Sequence, residues 1–166
     1  MSDPLAGASG GASFALDEVL AATAGELAVL GRGTGFASVT TDTRSLHPGE
    51  LFVAIRGDTH DGHDFVADAA RRGAGAVLVE REYWHGAGGR ENERAASCGV
   101  IVVRDGLAAL GDLAAFHRRR HAPRVVAITG SNGKTPTKEM LAAILERALG
   151  ANRVLRTAGT QNNLVG

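Results

Sequence analysis

One stretch limits what this chain can fold into more than any other. Val125-Val126-Ala127-Ile128 is an apolar run, Thr129-Gly130-Ser131-Asn132-Gly133-Lys134-Thr135 follows it, and Met140, Leu141, Ile144, Leu145 and Ala148 then recur at helical spacing up to Gly150. The order reads as strand, glycine loop and helix. A strand apolar on both faces suits a parallel sheet covered by helices on either side, so the expectation is an α/β fold.

The residue types in the loop point to phosphate. Glycines let the backbone curl so that several N–H groups point inward, and the helix mouth adds unpaired donors and the positive end of its dipole. Lys134 supplies a mobile cation for outer phosphates, and Thr135 offers a hydroxyl to Mg²⁺. The expected nucleotide-binding set is Gly130, Ser131, Asn132, Gly133, Lys134, Thr135 and Pro136, with Lys134 and Thr135 catalytic and Thr135 the metal ligand. The general phosphate loop places four residues between its first glycine and Gly-Lys. Here only Ser131 and Asn132 stand there, and the alternative is an ordinary glycine-rich turn with a surface lysine. Pro136 is tolerable, because amides in the first helical turn lack intrahelical partners anyway.

Upstream, apolar runs alternate with helical patterns. Asp17 is expected to cap a helix over residues 18–24, closed by Gly25. Residues 31–35 read as a glycine-rich turn; Gly31-Arg32-Gly33-Thr34-Gly35 follows no apolar strand and opens no helix, so it is not a dinucleotide fingerprint. Residues 51–55, 76–79 and 100–103 read as strands. Asp64 is expected to cap a helix carrying Phe65, Val66, Ala69 and Ala70, which ends near Gly73. Residues 83–99 read as a polar loop. Leu107, Leu110, Leu113 and Ala114 share a helical face, and residues 153–156 suggest a further strand. Ala122-Pro123 is a natural seam, which divides the chain into a flexible tail over residues 1–13, a domain over 14–122 and the beginning of a second over 123–166.

Charge and composition exclude several classes. Eighteen basic and 18 acidic residues give a formal net charge of +0, whereas nucleic-acid binders carry a basic excess. No apolar run reaches the roughly 18 residues that span a bilayer. The glycine- and serine-rich N-terminus is neither basic nor apolar and is not a secretory signal. Cys98, the single cysteine, cannot form an internal disulfide, which fits a cytoplasmic location. His60, Asp61, His63 and Asp64 read as a polar loop capping the next helix, with a metal site or a ligand-binding loop as alternatives. His117-Arg118-Arg119-Arg120-His121 reads as cations at the negative end of a helix rather than as a phosphate site.

Three segments, in order, carry a family resemblance. They are Thr41-Asp42-Thr43-Arg44 with Pro48-Gly49-Glu50-Leu51-Phe52-Val53-Ala54, then Gly57-Asp58-Thr59-His60-Asp61-Gly62-His63-Asp64-Phe65 with Gly73-Ala74, then residues 128–140. The chain resembles the Mur ligases of bacterial cell-wall synthesis, whose own phosphate loop has this compact spacing. Thr137-Lys138-Glu139-Met140 and Asn162-Asn163 followed by Gly166 resemble the branch that joins D-alanyl-D-alanine to UDP-N-acetylmuramoyl-tripeptide, rather than the branch that adds the third peptide residue.

The resemblance implies a small N-terminal UDP-substrate domain of mixed sheet and helices, followed by the first strand, phosphate loop and helix of an ATPase domain. It implies ATP and Mg²⁺ as cofactors, and peptide-bond formation through an acyl phosphate attacked by the amine of D-alanyl-D-alanine. It assigns substrate contacts to Asp42, Thr43, Arg44, Asp61, Gly62, His63, Phe65, Asn162 and Asn163, in a monomer. An arginine beside a diphosphate is physically sensible, although Asp42 and Arg44 could instead pair within a turn. The family carries threonine where Pro136 stands. A complete ligase continues through the rest of the ATP-binding domain and a third domain, so little or no ligase activity is expected of this polypeptide alone. The alternatives are a ligase of the branch that adds the third peptide residue, a folylpolyglutamate-synthetase-type ligase, which has no matching front domain, and a freestanding UDP-sugar-binding module with a vestigial phosphate loop.

Overall fold

The computed structural model describes residues 13–57, 60–86, 89 and 98–157. The chain divides into two compact units, Met1–Ala122 and Pro123–Gly166. The architecture is mixed α/β.

The first unit is built on a five-stranded sheet in the order β2-β7-β6-β5-β4. Strands β4 (Val39–Thr40), β5 (Leu51–Val53), β6 (Ala76–Glu80) and β7 (Gly99–Val103) run parallel. Strand β2 (Glu26–Val29) closes the β7 edge in the antiparallel sense. A two-stranded antiparallel ribbon of β1 (Phe14–Ala15) and β3 (Gly35–Phe36) stands apart from it.

The central strands read as unbroken apolar runs because both sheet faces are covered. Alternate residues face opposite ways along a strand, and the core divides accordingly. Phe52, Val77, Val79, Val100 and Val102 pack with Val66, Ala69 and Ala70 of helix α2 (Val66–Arg71). Leu51, Val53, Leu78, Ile101 and Val103 pack with Val19 of helix α1 (Leu16–Thr23) and with Ala109 and Leu113 of helix α4 (Gly106–His121). Fully burying a valine, leucine, isoleucine or phenylalanine side chain of this kind stabilises the fold by about 1.5–3 kcal/mol.

Several local expectations are corrected. Helix α1 begins two residues early, after Ala15, and Glu18 reaches back to accept from the Ala15 N–H at 2.9 Å. Asp17 is not its cap. The helix ends at Ala24, which takes the left-handed conformation with φ 49°, so the stop lies one residue before Gly25. Strand β2 went unrecognised because it is an edge strand, exposed over Glu26, Leu27 and Ala28. The polar stretch after β6 opens with helix α3 (Arg81–His85), whose Tyr83 and Trp84 pack on the core.

The second unit holds helix α5 (Lys134–Leu149) and a 3-10 turn, Ala151–Arg153. Residues 125–128, expected as a buried parallel strand, form no strand, and Val125 and Val126 are 59% and 63% exposed. A strand's donors and acceptors need a neighbouring strand, and the described residues of this unit supply none. Residues 153–156 likewise form no strand, and Leu155 is fully exposed.

Candidate functional site

The glycine loop of the second unit is set by backbone conformation. Gly130 has φ 152° and Gly133, the residue before α5, has φ 78°. A Cβ at Gly133 would meet nothing within 4 Å, so the requirement there is for left-handed backbone rather than space. The first helical bond of α5 runs from the Thr137 N–H to the Gly133 carbonyl, at 3.1 Å. Earlier amides of the first turn have no partner within the helix, and Pro136, which has none to donate, costs the ladder nothing. Ser131, Asn132, Lys134, Thr135 and Pro136 are exposed. The Lys134 ammonium folds back and donates to the Gly130 carbonyl, closing the loop into a ring. Amides, a cation and a hydroxyl thus gather at the mouth of a 16-residue helix, a donor set that fits a polyphosphate. Further along, Lys138 donates to the Thr157 carbonyl at 2.7 Å, and Arg156 pairs with Glu139 and Glu146.

In the first unit the expected substrate residues follow the carboxyl ends of adjacent parallel strands, where open α/β sheets bind ligands. Residues 42–44 follow β4. Asp42 and Arg44 make a two-point pair, Nε to Oδ1 at 2.9 Å and Nη2 to Oδ2 at 2.7 Å. The Arg44 side chain, followed by its backbone N–H, holds the Asp42 carboxyl down at about 2. The Arg44 side chain is nonetheless 88% exposed. Thr43 is buried and, with Arg71, adds to the effect of Arg72, which chiefly holds the Asp68 carboxylate below its usual range.

Residues 61–65 follow β5. Asp61, not Asp64, is the cap here: its Oδ1 accepts from the His63 N–H at 2.9 Å and opens a 3-10 turn, Gly62–Phe65, ahead of α2. Gly62 donates to the Ile55 carbonyl at 2.8 Å. A Cβ on Gly62 would lie 2.6 Å from the Ile55 nitrogen, so only glycine fits. Phe65 is 45% exposed, whereas His63 is 2% exposed. The His63 ring is turned inward and lies 4.6 Å from the Tyr83 ring. Burial pushes the Asp61 carboxyl up, but the His63 N–H, its ring and Arg56 outweigh that and bring it below the usual range.

Sequence reasoning missed Arg56 and Glu80. The Arg56 guanidinium reaches Asp61 at 3.2 Å, Glu80 at 3.6 Å and Glu82 at 3.7 Å. Glu80 ends β6 and accepts from the Gly106 N–H at 3.2 Å, at the start of α4. A charge closing an apolar strand is the one signal that could have drawn notice to Glu80. Among the described residues no group of three or more His, Cys, Asp or Glu could hold a metal ion. In the basic cluster, Arg120 pairs with Glu18 at 3.0 Å, donates to the Ser13 carbonyl and lies over the Phe14 and Phe116 rings. Asn162 and Asn163 lie outside the described residues.

Comparison with known proteins places these features in a family context. Residues 36–118 match the model for the Mur ligase family, catalytic domain, and residues 128–166 match the Mur ligase middle domain. The chain is 45% identical over 129 residues to the UDP-N-acetylmuramoyl-tripeptide–D-alanyl-D-alanine ligase of Escherichia coli strain K12, covering 78% of this chain and 25% of that protein. It is similar to the crystal structure of MurF from Acinetobacter baumannii, with TM-score 0.68 and 33% identity, over 81% of this chain and 28% of the other. It is also similar to MurF ligase from Thermotoga maritima in complex with ADP, with TM-score 0.51 and 31% identity, over 66% of this chain and 23% of the other. The chain thus spans about a quarter of the length of these relatives.

Proposed function

Because the chain belongs to the Mur ligase family, we propose that its two units serve an ATP-dependent ligase that joins D-alanyl-D-alanine to UDP-N-acetylmuramoyl-tripeptide in peptidoglycan synthesis. The Met1–Ala122 unit takes the uridine diphosphate end of the muramoyl peptide, and the Pro123–Gly166 unit takes the triphosphate of ATP with Mg²⁺. The observation that carries the reading is the loop at residues 130–135, where two glycines in positive-φ backbone bring Lys134 and free amides to a helix mouth.

Each residue then has a stated task. Amides of the loop and of the first turn of α5 receive phosphate oxygens, and Lys134 leaves the Gly130 carbonyl to pair with the outer phosphates. The Thr135 hydroxyl is the Mg²⁺ ligand. Bound ATP supplies the phosphoryl group that activates the substrate carboxylate; the residues of this chain position and neutralise charge, which is most of phosphoryl-transfer catalysis. In the first unit Arg44, already oriented by Asp42, offers its remaining guanidinium edge to the diphosphate, and the turn at residues 61–65 presents Phe65 alongside. No helix of the described residues is long and apolar enough to cross a membrane.

Calorimetric titration of the chain with UDP, UDP-muramoyl-tripeptide and MgATP tests this. Two independent sites are expected, one for the uridine ligands and one for MgATP. Absence of uridine-ligand binding would remove the reading. A second reading, a UDP-sugar-binding module with a vestigial phosphate loop, draws on residues 125–128, which form no strand and have no sheet beside the loop among the described residues of their unit. Uridine-ligand binding without MgATP binding is the result that favours it.

A further inference from the structure

The His63 ring is one of two buried polar side chains among the described residues, and its contacts define which nitrogen carries the proton. Nε2 lies 3.0 Å from the Glu80 backbone nitrogen, whose N–H donates to it. Nε2 must therefore offer a lone pair, and the proton of a neutral ring sits on Nδ1. Nδ1 lies 2.6 Å from Asp61 Oδ1, an oxygen that can only accept while Asp61 is ionised. Asp61 Oδ2 pairs in turn with Arg56. The groups facing the ring are thus Asp61 from its own turn, the Glu80 backbone from β6 and Tyr83 from α3, with Arg56, Glu80 and Glu82 forming the charged layer behind.

These bonds cross elements. Asp61 caps the turn through its own backbone, and the Gly62 N–H ties it to the end of β5. The contact from Nε2 to Glu80 adds a bond to β6, 17 residues away. We propose that His63, locked as the neutral Nδ1–H imidazole between Asp61 and the Glu80 backbone, is a positioning residue for the uridine-diphosphate site. At 2% exposure the ring acts through the turn it holds. It holds the turn that carries Phe65 against the carboxyl end of the sheet, so that the turn is preformed when ligand arrives. An imidazolium has no lone pair to accept from the Glu80 N–H, so protonation of the ring releases that anchor.

The proposal rests on the reading of the first unit as a uridine-diphosphate site, and the test separates the two. Histidine-¹⁵N NMR of the chain should show the neutral His63 ring as the Nδ1–H tautomer, and UDP should shift the amide signals of residues 61–65. His63→Ala should weaken UDP binding about tenfold or more, the scale of a lost anchoring hydrogen bond plus an opened cavity. His63→Gln, whose side-chain oxygen can take over the acceptance from Glu80, should recover part of that loss. MgATP affinity should be unchanged in both variants. An Nε2–H tautomer, or UDP affinity unaltered in both variants, would overturn the proposal. Wild-type chain that binds no UDP would overturn the functional reading and this proposal together, a result distinct from a wrong tautomer with normal binding. If His63→Ala fails to fold, the wild-type tautomer and His63→Gln decide the matter.

Discussion

Asp42 holds Arg44 by two parallel contacts, 2.9 Å and 2.7 Å, while leaving the arginine 88% exposed. The pair lies within one turn, so it is formed before any ligand arrives. It orients the guanidinium without covering it.

Arg44→Lys is expected to weaken UDP binding about tenfold, since an ammonium cannot reproduce the planar fork. Thermal stability should stay within about 1 °C, because exposed ion pairs contribute little. The pair should also be insensitive to pH in the ordinary range. Asp42 is held down at about 2. A carboxyl lowered in the fold gives its full contribution above the unfolded value of about 3.9, and loses it only as pH falls through the folded value. Calorimetry between pH 5 and pH 8, on the order of physiological values, should therefore show no step assignable to Asp42.

Lys134→Ala should lower MgATP affinity about tenfold or more, the loss of one charge-assisted contact. UDP affinity should not change. Equilibrium titration with a fluorescent ATP analogue measures the first and calorimetry the second.

Pro136→Thr should leave MgATP affinity unchanged or raise it. Position 136 lies in the first turn of α5, ahead of its first internal bond, so restoring an N–H and a hydroxyl there adds donors without disturbing the ladder. A loss of affinity beyond about threefold, close to 0.6 kcal/mol, would contradict this account of the loop.

Ala24→Gly should stabilise the first unit. Ala24 closes α1 in left-handed backbone, φ 49° and ψ 33°, a conformation that costs an L-residue roughly 1–2 kcal/mol and glycine almost nothing. The greater freedom of glycine in the unfolded chain takes back part of that gain, leaving about 0.5–1 kcal/mol. Urea denaturation should show a higher midpoint at an unchanged slope.

Leu113→Ala should cost about 2–5 kcal/mol, the range for a buried leucine whose cavity cannot collapse. Leu113 is 1% exposed and packs beneath α4 against Leu78 and Ile101 in the same cluster. The same urea experiment reads it.

Residues whose structure depends on local pattern were legible in the sequence, and those that depend on a distant partner were not. The strands at residues 51–53, 76–80 and 99–103 announced themselves as apolar runs because both faces of the sheet are covered. Strand β2 did not, because its outer residues meet solvent. Caps were misplaced by a few residues, Asp17 for Ala15 and Asp64 for Asp61, the first because Glu18 caps α1 from inside the helix, the second because several polar residues near the turn compete for the role. The glycine turn at residues 130–133 and the helix start at Lys134 could be read from residue types alone. Asp42 and Arg44 and the turn at residues 61–65 gained meaning only through the family resemblance. The inward turn of His63 could not have been foreseen, because its second partner is Glu80.

Residues 125–128 have a consequence of their own. Three β-branched side chains and no charge, with no strand alongside among the described residues of their unit, leave a row of amide donors and carbonyl acceptors ready for any extended segment that comes near. At high concentration the nearest such segment belongs to another copy. Self-association that grows with concentration, and that Val126→Lys suppresses, is the behaviour expected of this unpaired apolar segment.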